Sequence, residues 1–181
     1  MAAPATVTLS AGPLGGLQVG GVLSGMGEWQ GRPMPGDAGT HADFSNALLM
    51  VQKTSGPVQF YVQAGAYNIP ILGVPFLSAA DSVRELFGPA PVAYLKLPLS
   101  AHVSLQAGVL PTLIGAESTF TFQNPNVLRG LLWNQENDVN RGVQLNATGG
   151  RWSAAVSWND GYYSGRYPWL TAALSWTAPA S

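Results

Sequence analysis

Apolar and polar residues alternate with a period of two along five stretches of this chain. From Val103 the odd positions read Val103, Leu105, Ala107 and Val109, and the intervening ones Ser104, Gln106 and Gly108. Val58, Phe60, Val62 and Ala64 oppose Gln59, Tyr61, Gln63 and Gly65 in the same way. After Arg141 the pattern returns as Val143, Leu145 and Ala147 against Gln144, Asn146 and Thr148. It then runs through Trp152, Ala154, Val156 and Trp158 against Ser153, Ala155, Ser157 and Asn159. Last come Leu170, Ala172, Leu174 and Trp176 against Trp169, Thr171, Ala173 and Ser175. Successive side chains of a strand point to opposite faces, whereas a helical period of 3.6 cannot keep such order on two faces. All five are strands. Less regular stretches at about 17–29, 43–53 and 91–99 bring the expected total to eight. The second of these is apolar on both faces, with Leu48 and Met50 on one and Leu49 and Val51 on the other.

The connections between these strands alternate in length. Tight turns at 54–56, around Ser100 and at 149–150 are interleaved with long links at 30–42, 70–90, 111–138 and 160–166. Membrane barrels have short periplasmic turns and long extracellular loops, whereas a β-sandwich has no reason to place every long connection at one end. The pattern therefore predicts an all-β, antiparallel, up-and-down transmembrane β-barrel of about eight strands. Residues 5–11 have strand character, but a strand there would start the chain on the extracellular side, so parity argues for a lead segment. The expected division is a lead segment at 1–16, a barrel at 17–177 and a tail at 178–181. Aromatic residues gather near strand ends, as interfacial girdles do: Trp29, Phe44, Tyr67, Trp158 and Tyr167 by the long loops, Trp152 and Trp176 by the short turns.

Composition sharpens this picture. Only 9% of residues are charged, against about 25% in an average soluble protein. The hydrophobic share is 46%, yet no run approaches the roughly 18 apolar residues of a membrane helix. Uncharged polar residues and glycine replace the missing charge, as suits strands with one apolar and one polar face. With no cysteine and two histidines, neither a disulfide frame nor a thiolate or histidine-rich metal site is expected. A net charge of −1 provides no footprint for nucleic acid. The opening Met-Ala-Ala-Pro-Ala-Thr lacks the regions of a signal peptide, so Met1 reads as the start of a trimmed chain.

No catalytic constellation stands out, and no cofactor or metal is expected. Gly25-Met-Gly27 lacks the third glycine and the helix of a dinucleotide fingerprint, and His102 beside Ser104 lacks an orienting partner for hydrolysis. The chain reads as a non-enzyme. Candidate pore-lining residues are Gln59, Tyr61, Gln63, Lys96, Ser104, Gln106, Gln144, Asn146 and Ser157, with Lys96 the deepest charge. Val103, Leu105, Val143, Leu145, Val156 and Leu174 should face lipid. Arg141 and Arg151 share parity with the apolar faces and should lie at strand ends, since an arginine at the bilayer centre costs roughly 2–4 kcal/mol.

Two loop segments carry helix signals. Ser78 and Asp81 form a capping box with Gly88 as a stop, and Asn124-Pro125 resembles a helix start running to 133. The longest link, 111–138, is expected to fold inward and narrow the pore, the alternative being a surface cover that shields the barrel rim. Glu117, Arg129 and Glu136 are its constriction charges, and Leu128, Leu131, Leu132 and Trp133 pack it against the barrel.

These residues resemble the β-barrel porins of Gram-negative outer membranes. The matching stretches are ALLMVQKTSGPVQFYVQAGAYNIPILG from Ala47, LQAGVLPTLIGAE from Leu105, LRGLLWNQEN from Leu128, RGVQLN from Arg141 and SWNDGYYS from Ser157. Gly115-Ala116-Glu117 followed by Arg129-Gly130-Leu131-Leu132 is the most specific part. The resemblance implies a passive diffusion channel in the outer membrane, with membrane lipids and small polar solutes or ions as its partners and no catalytic residues. Family members are longer and tend to finish on an aromatic signal, which implies that this chain is the N-terminal portion of a larger barrel. A barrel closed at eight strands would be filled by side chains and would serve as an anchor or adhesin instead. A soluble carbohydrate-binding β-sandwich is the remaining alternative.

Overall fold

The computed structural model of the chain describes residues 4–115, 117–161 and 163–178. The expected tail therefore lies, apart from Ala178, outside the described residues. Nine strands form one antiparallel up-and-down sheet in chain order. They are β1 (Thr6–Ser10), β2 (Gly16–Trp29), β3 (Thr40–Lys53), β4 (Gln59–Tyr67), β5 (Val92–Pro98), β6 (Val103–Pro111), β7 (Val139–Gly149), β8 (Trp152–Asn159) and β9 (Trp169–Trp176). Eight of these coincide with the expected strands. The sequential order also rules out the sandwich.

The ninth, β1, corrects the reading of 5–11 as an unpaired lead. It pairs with β2 from Thr6 opposite Gly20 to Ser10 opposite Gly16. A tight turn joins them, in which Ala11 N–H donates to the Gly15 carbonyl at 2.8 Å and Gly15 N–H to that of Gly12 at 3.0 Å. The alternation of short and long connections extends through this hairpin, and the available ladder outweighs the parity argument.

Two compact units divide the chain. The first contains β1, β2, most of β3, the latter half of β4 and the loop segments 68–91 and 115–136. On β2, Leu23 is 76% exposed while Ser24 and Met26 are half-buried. On β3 the inward positions are odd up to Ser45 and even from Asn46, with both of these residues buried. One residue added at that point shifts the phase, as a β-bulge does. The shift explains why 43–53 looks apolar on both faces: Leu48 and Met50 are buried, and Leu49 is exposed.

Loop segment 68–91 is tied to the start of β3 by carboxylates. Asp37 accepts the Phe76 N–H at 3.1 Å, and Asp43 accepts the Ala79 N–H at 2.6 Å. Ala79 opens a single helical turn, α1 (Ala79–Ser82), capped by Ser78 Oγ accepting from Asp81 N–H at 3.1 Å. A wider turn continues to Phe87, and Gly88 stops it at φ 71°. This is the helix that the capping box predicts. The helix expected over 124–133 does not form. Short 3-10 turns at Thr121–Gln123 and Leu131–Gln135 flank an irregular stretch instead. Asn124 is drawn away from helix capping: its side chain accepts Ser118 N–H at 2.7 Å and donates to the carbonyls of Ser118 at 2.6 Å and Phe120 at 3.0 Å.

The second unit contains the 52–62 hairpin region and β5 to β9. Its ladders align residues in rows across five strands. One row is Lys96, Gln106, Gln144, Ser157 and Thr171; the flanking rows are Leu95, Ala107, Val143, Trp158 and Leu170, then Leu97, Leu105, Leu145, Val156 and Ala172. A third kind of row sets Tyr94 opposite Gly108 and Gly108 opposite Gly142. Gly108 has φ 141°, and a Cβ there would lie 2.3 Å from the Ala93 carbonyl oxygen, so no other residue fits this approach. Tyr94 meanwhile stacks on Tyr61 with ring centroids 5.6 Å apart.

Candidate functional site

The rows of the second unit separate by exposure in the sense opposite to a soluble sheet. Leu170 is 72% exposed, Leu174 70% and Leu145 46%, while Gln144 is 7% exposed and Ser157 2%. Buried polar groups and large exposed apolar ones are the informative departures from ordinary burial. Here they define two whole faces. The buried polar side chains are bonded to one another: Gln144 Nε2 donates to Gln106 Oε1 at 3.3 Å and to Asn146 Oδ1 at 2.7 Å. Asn159, fully buried, donates to Ser157 Oγ at 3.2 Å and Thr171 Oγ1 at 3.3 Å, and accepts from Asn137 at 3.2 Å. Such a network meets most of the requirement that buried polar atoms be hydrogen-bonded, Asn146 Nδ2 excepted.

The candidate lining residues fall on this polar face. Gln59, Lys96, Ser104, Gln106 and Asn146 border an open pocket of about 340 Å3 that also takes in His102. Gln144 and Ser157 lie in the same strand rows, and Tyr61 meets Tyr94. Gln63 belongs to the first unit and is buried there. Thr171 and Tyr94 share the polar face but were not among the expected lining residues. The alternation sets Thr171 opposite Leu170 and Ala172 and so marks its face, whereas Tyr94 lies in an irregular strand and only the strand register finds it.

The apolar rows end in aromatic residues. Trp152 pairs with Trp176 at the short-turn ends, with rings 6.3 Å apart. At the long-connection end Trp158 donates to the Tyr167 carbonyl at 2.8 Å. Trp29 and Phe44 are exposed at the corresponding ends of β2 and β3. Tyr67 departs from the expected girdle. It is fully buried, donates from its hydroxyl to the Gly88 carbonyl at 3.2 Å and accepts Phe87 N–H at 3.0 Å.

Arg141 lies at the long-connection end of β7 and Arg151 in the turn before β8. Arg141 Nε donates to the buried Asp160 Oδ2 at 2.8 Å, and its guanidinium lies 4.5 Å from the centre of the Tyr163 ring. Burial pushes the Tyr163 phenol up to about 12.

The long 111–138 connection contributes its 115–136 portion to the first unit. There it packs on the inward side of β3 and the end of β4. Asn46 donates to Thr121 Oγ1 at 2.5 Å, and the Phe120 ring meets that of Tyr67 edge-on at 5.5 Å. Of the apolar residues expected to anchor the loop, Trp133 is buried, whereas Leu128 and Leu132 are exposed; the Leu131 side chain lies outside the described set.

The three expected constriction charges serve the loop's own architecture. Arg129, 1% exposed, donates to the carbonyls of Thr119 at 2.8 Å and Val127 at 3.0 Å and lies 5.4 Å from the centre of the Trp133 ring. Its backbone forms a parallel bridge with Ile71. Glu117 accepts the Gly130 N–H at 3.1 Å, which joins the two halves of the Gly115–Glu117 and Arg129–Leu132 motif. Glu136 packs on Gly115, whose φ of 85° and missing Cβ both matter, since a Cβ would meet the carboxylate. Arg129 thus directs two of its guanidinium nitrogens to carbonyls inside the loop's own fold.

No curated protein and no solved structure matches the chain. A family model does, across residues 16–181, which takes in β2 to β9 and the long connections between them. With an up-and-down antiparallel sheet, an exposed apolar face and a buried polar one, the chain belongs to the family described as "Putative beta-barrel porin-2, OmpL-like".

Proposed function

We propose that the protein is a passive diffusion channel for small polar solutes or ions in the outer membrane of a Gram-negative bacterium. The observation that carries this reading is the inversion of the faces. A sheet that exposes Leu23, Leu145, Leu170 and Leu174 and buries Gln63, Gln144, Ser157 and Asn159 is matched to lipid on one side and polar contents on the other. Family membership supports the same conclusion. Lys96, Gln59, Ser104, Gln106 and Asn146 then line the passage in the second unit, and the 115–136 loop segment acts as a constriction on the first unit's own wall.

The test is reconstitution of the full-length protein into planar lipid bilayers. Discrete, ohmic single-channel steps are expected. Heat-modifiable, membrane-inserted protein that produces no steps and no liposome swelling would overturn the reading.

A further inference from the structure

We infer that the pocket on the polar face of the second unit binds a small oxyanion, a carboxylate or phosphate group of the permeating solute, with Lys96 as its charge. The inference deepens the channel reading and rests on it.

The pocket lies by the short-turn ends of β5, β6 and β7, and its volume of about 340 Å3 is at the small end of ligand sites. Its lining includes Lys96, Gln106, Asn146, Ser104, Gln59 and His102, and no carboxylate. Lys96 forms no ion pair among the described residues. An ammonium group on a polar wall without a counter-charge attracts anions and repels cations, which is how basic residues confer anion selectivity on pores.

The amide groups strengthen this. Gln144 donates to the carbonyl oxygens of both Gln106 and Asn146. With those acceptors engaged, what the two side chains offer a solute is their N–H donors. Asn146 Nδ2 is buried without a hydrogen-bond partner, and an unmet donor in the lining of the pocket that Lys96 also borders favours an anionic oxygen.

The charge distribution along the chain points the same way. All nine Asp and Glu residues lie in a long connection or close to one, and none lies in a short turn or the strand halves beside it. Lys53, Lys96 and Arg151 occupy those regions. Lys53 is spent on its own turn, where it donates to the carbonyls of Ser55 and Val58. Arg151 is exposed in the β7–β8 turn. Lys96 is the cation that faces the pocket.

The experiment uses the full-length protein in planar bilayers under a tenfold KCl gradient, with inorganic phosphate as the probe. The reversal potential should indicate chloride preference, and millimolar phosphate should reduce the chloride current. Lys96→Gln should weaken that inhibition at least tenfold, and Lys96→Glu should reverse the ion preference; Lys53→Gln should do neither. A conducting channel in which Lys96→Gln changes neither property, or in which Lys53→Gln matches it, overturns the site. If the protein does not conduct at all, the channel reading fails, and calorimetric titration of phosphate into the detergent-solubilised protein decides the site separately. Binding that Lys96→Gln weakens tenfold supports it, and no binding, or binding unaffected by the substitution, overturns it.

Discussion

Leu105 and Gln106 are adjacent in β6 and meet opposite environments. Leu105 stands between Leu97 and Leu145 in an apolar row, and Gln106 between Lys96 and Gln144 in a polar one. An arginine at the bilayer midplane of the lipid face costs about 2–4 kcal/mol, and the same residue on a polar inner wall avoids that penalty. Leu105→Arg should therefore reduce the heat-modifiable, membrane-inserted fraction several-fold, while Gln106→Arg should insert like the wild type. Equal insertion of the two would mean that the faces are assigned the wrong way round. This facing was legible in the sequence because Val103–Val109 alternates without a break. Arg129 was not legible in the same way. Its place inside the loop depends on carbonyls at Thr119 and Val127 and on the Trp133 ring, and no periodicity marks such contacts.

Strands and loops differ in how far local pattern decides them. β6 to β9 lie where alternation places them, since each presents an apolar row on one face and a polar row on the other. β3 was ambiguous because the phase shift at Ser45 and Asn46 moves Leu48 and Met50 inward, so that a fixed parity mixes the two faces. The α1 turn was legible from its own capping residues, whereas the stretch after Asn124 was lost to a competing side-chain bond with Ser118. The long connections are held by carboxylates, which makes them sensitive to acid. The Phe76 N–H holds the Asp37 carboxyl below the usual range against the opposing effect of its desolvation; the Ala38 N–H and the neighbouring His41 also favour ionised Asp37. A carboxyl whose folded value is depressed contributes stability above its unfolded value, and that contribution is lost as pH falls through the folded one. In micelles, the Phe76 and Ala38 amide resonances should therefore titrate together below about pH 4, the ordinary range of aspartate, and Asp37→Asn should abolish the transition. Resonances that stay fixed down to pH 2 would show that the carboxylate does not hold this loop.

At the scale of the whole molecule, the channel reading proposed above rests on inverted faces together with an ordered long connection. The inversion could be read from sequence because it is periodic. The loop could be expected only from its length and its apolar residues, and the structure shows what holds it. Its largest anchors are Phe120, Trp133 and Arg129, all buried in the first unit, while Leu128 and Leu132 remain exposed. Asn46 and Tyr67 receive the loop on the buried side of β3 and β4, and on the channel reading proposed above it narrows the passage there. Deleting 118–134 in the full-length protein should therefore raise single-channel conductance. Arg129→Glu should act in the same direction, because a carboxylate cannot donate to the Thr119 and Val127 carbonyls and is repelled by them. Losing a charge-assisted hydrogen bond costs about 1.5–3 kcal/mol, enough to release a loop of this kind. The accompanying sign is limited proteolysis: cleavage between 118 and 134 should accelerate in Arg129→Glu and remain slow in the wild type. A variant that is cleaved faster but conducts as before would place the loop outside the conducting path. One that keeps slow cleavage and shifts only its ion preference would return Arg129 to the role of a charge facing the solute.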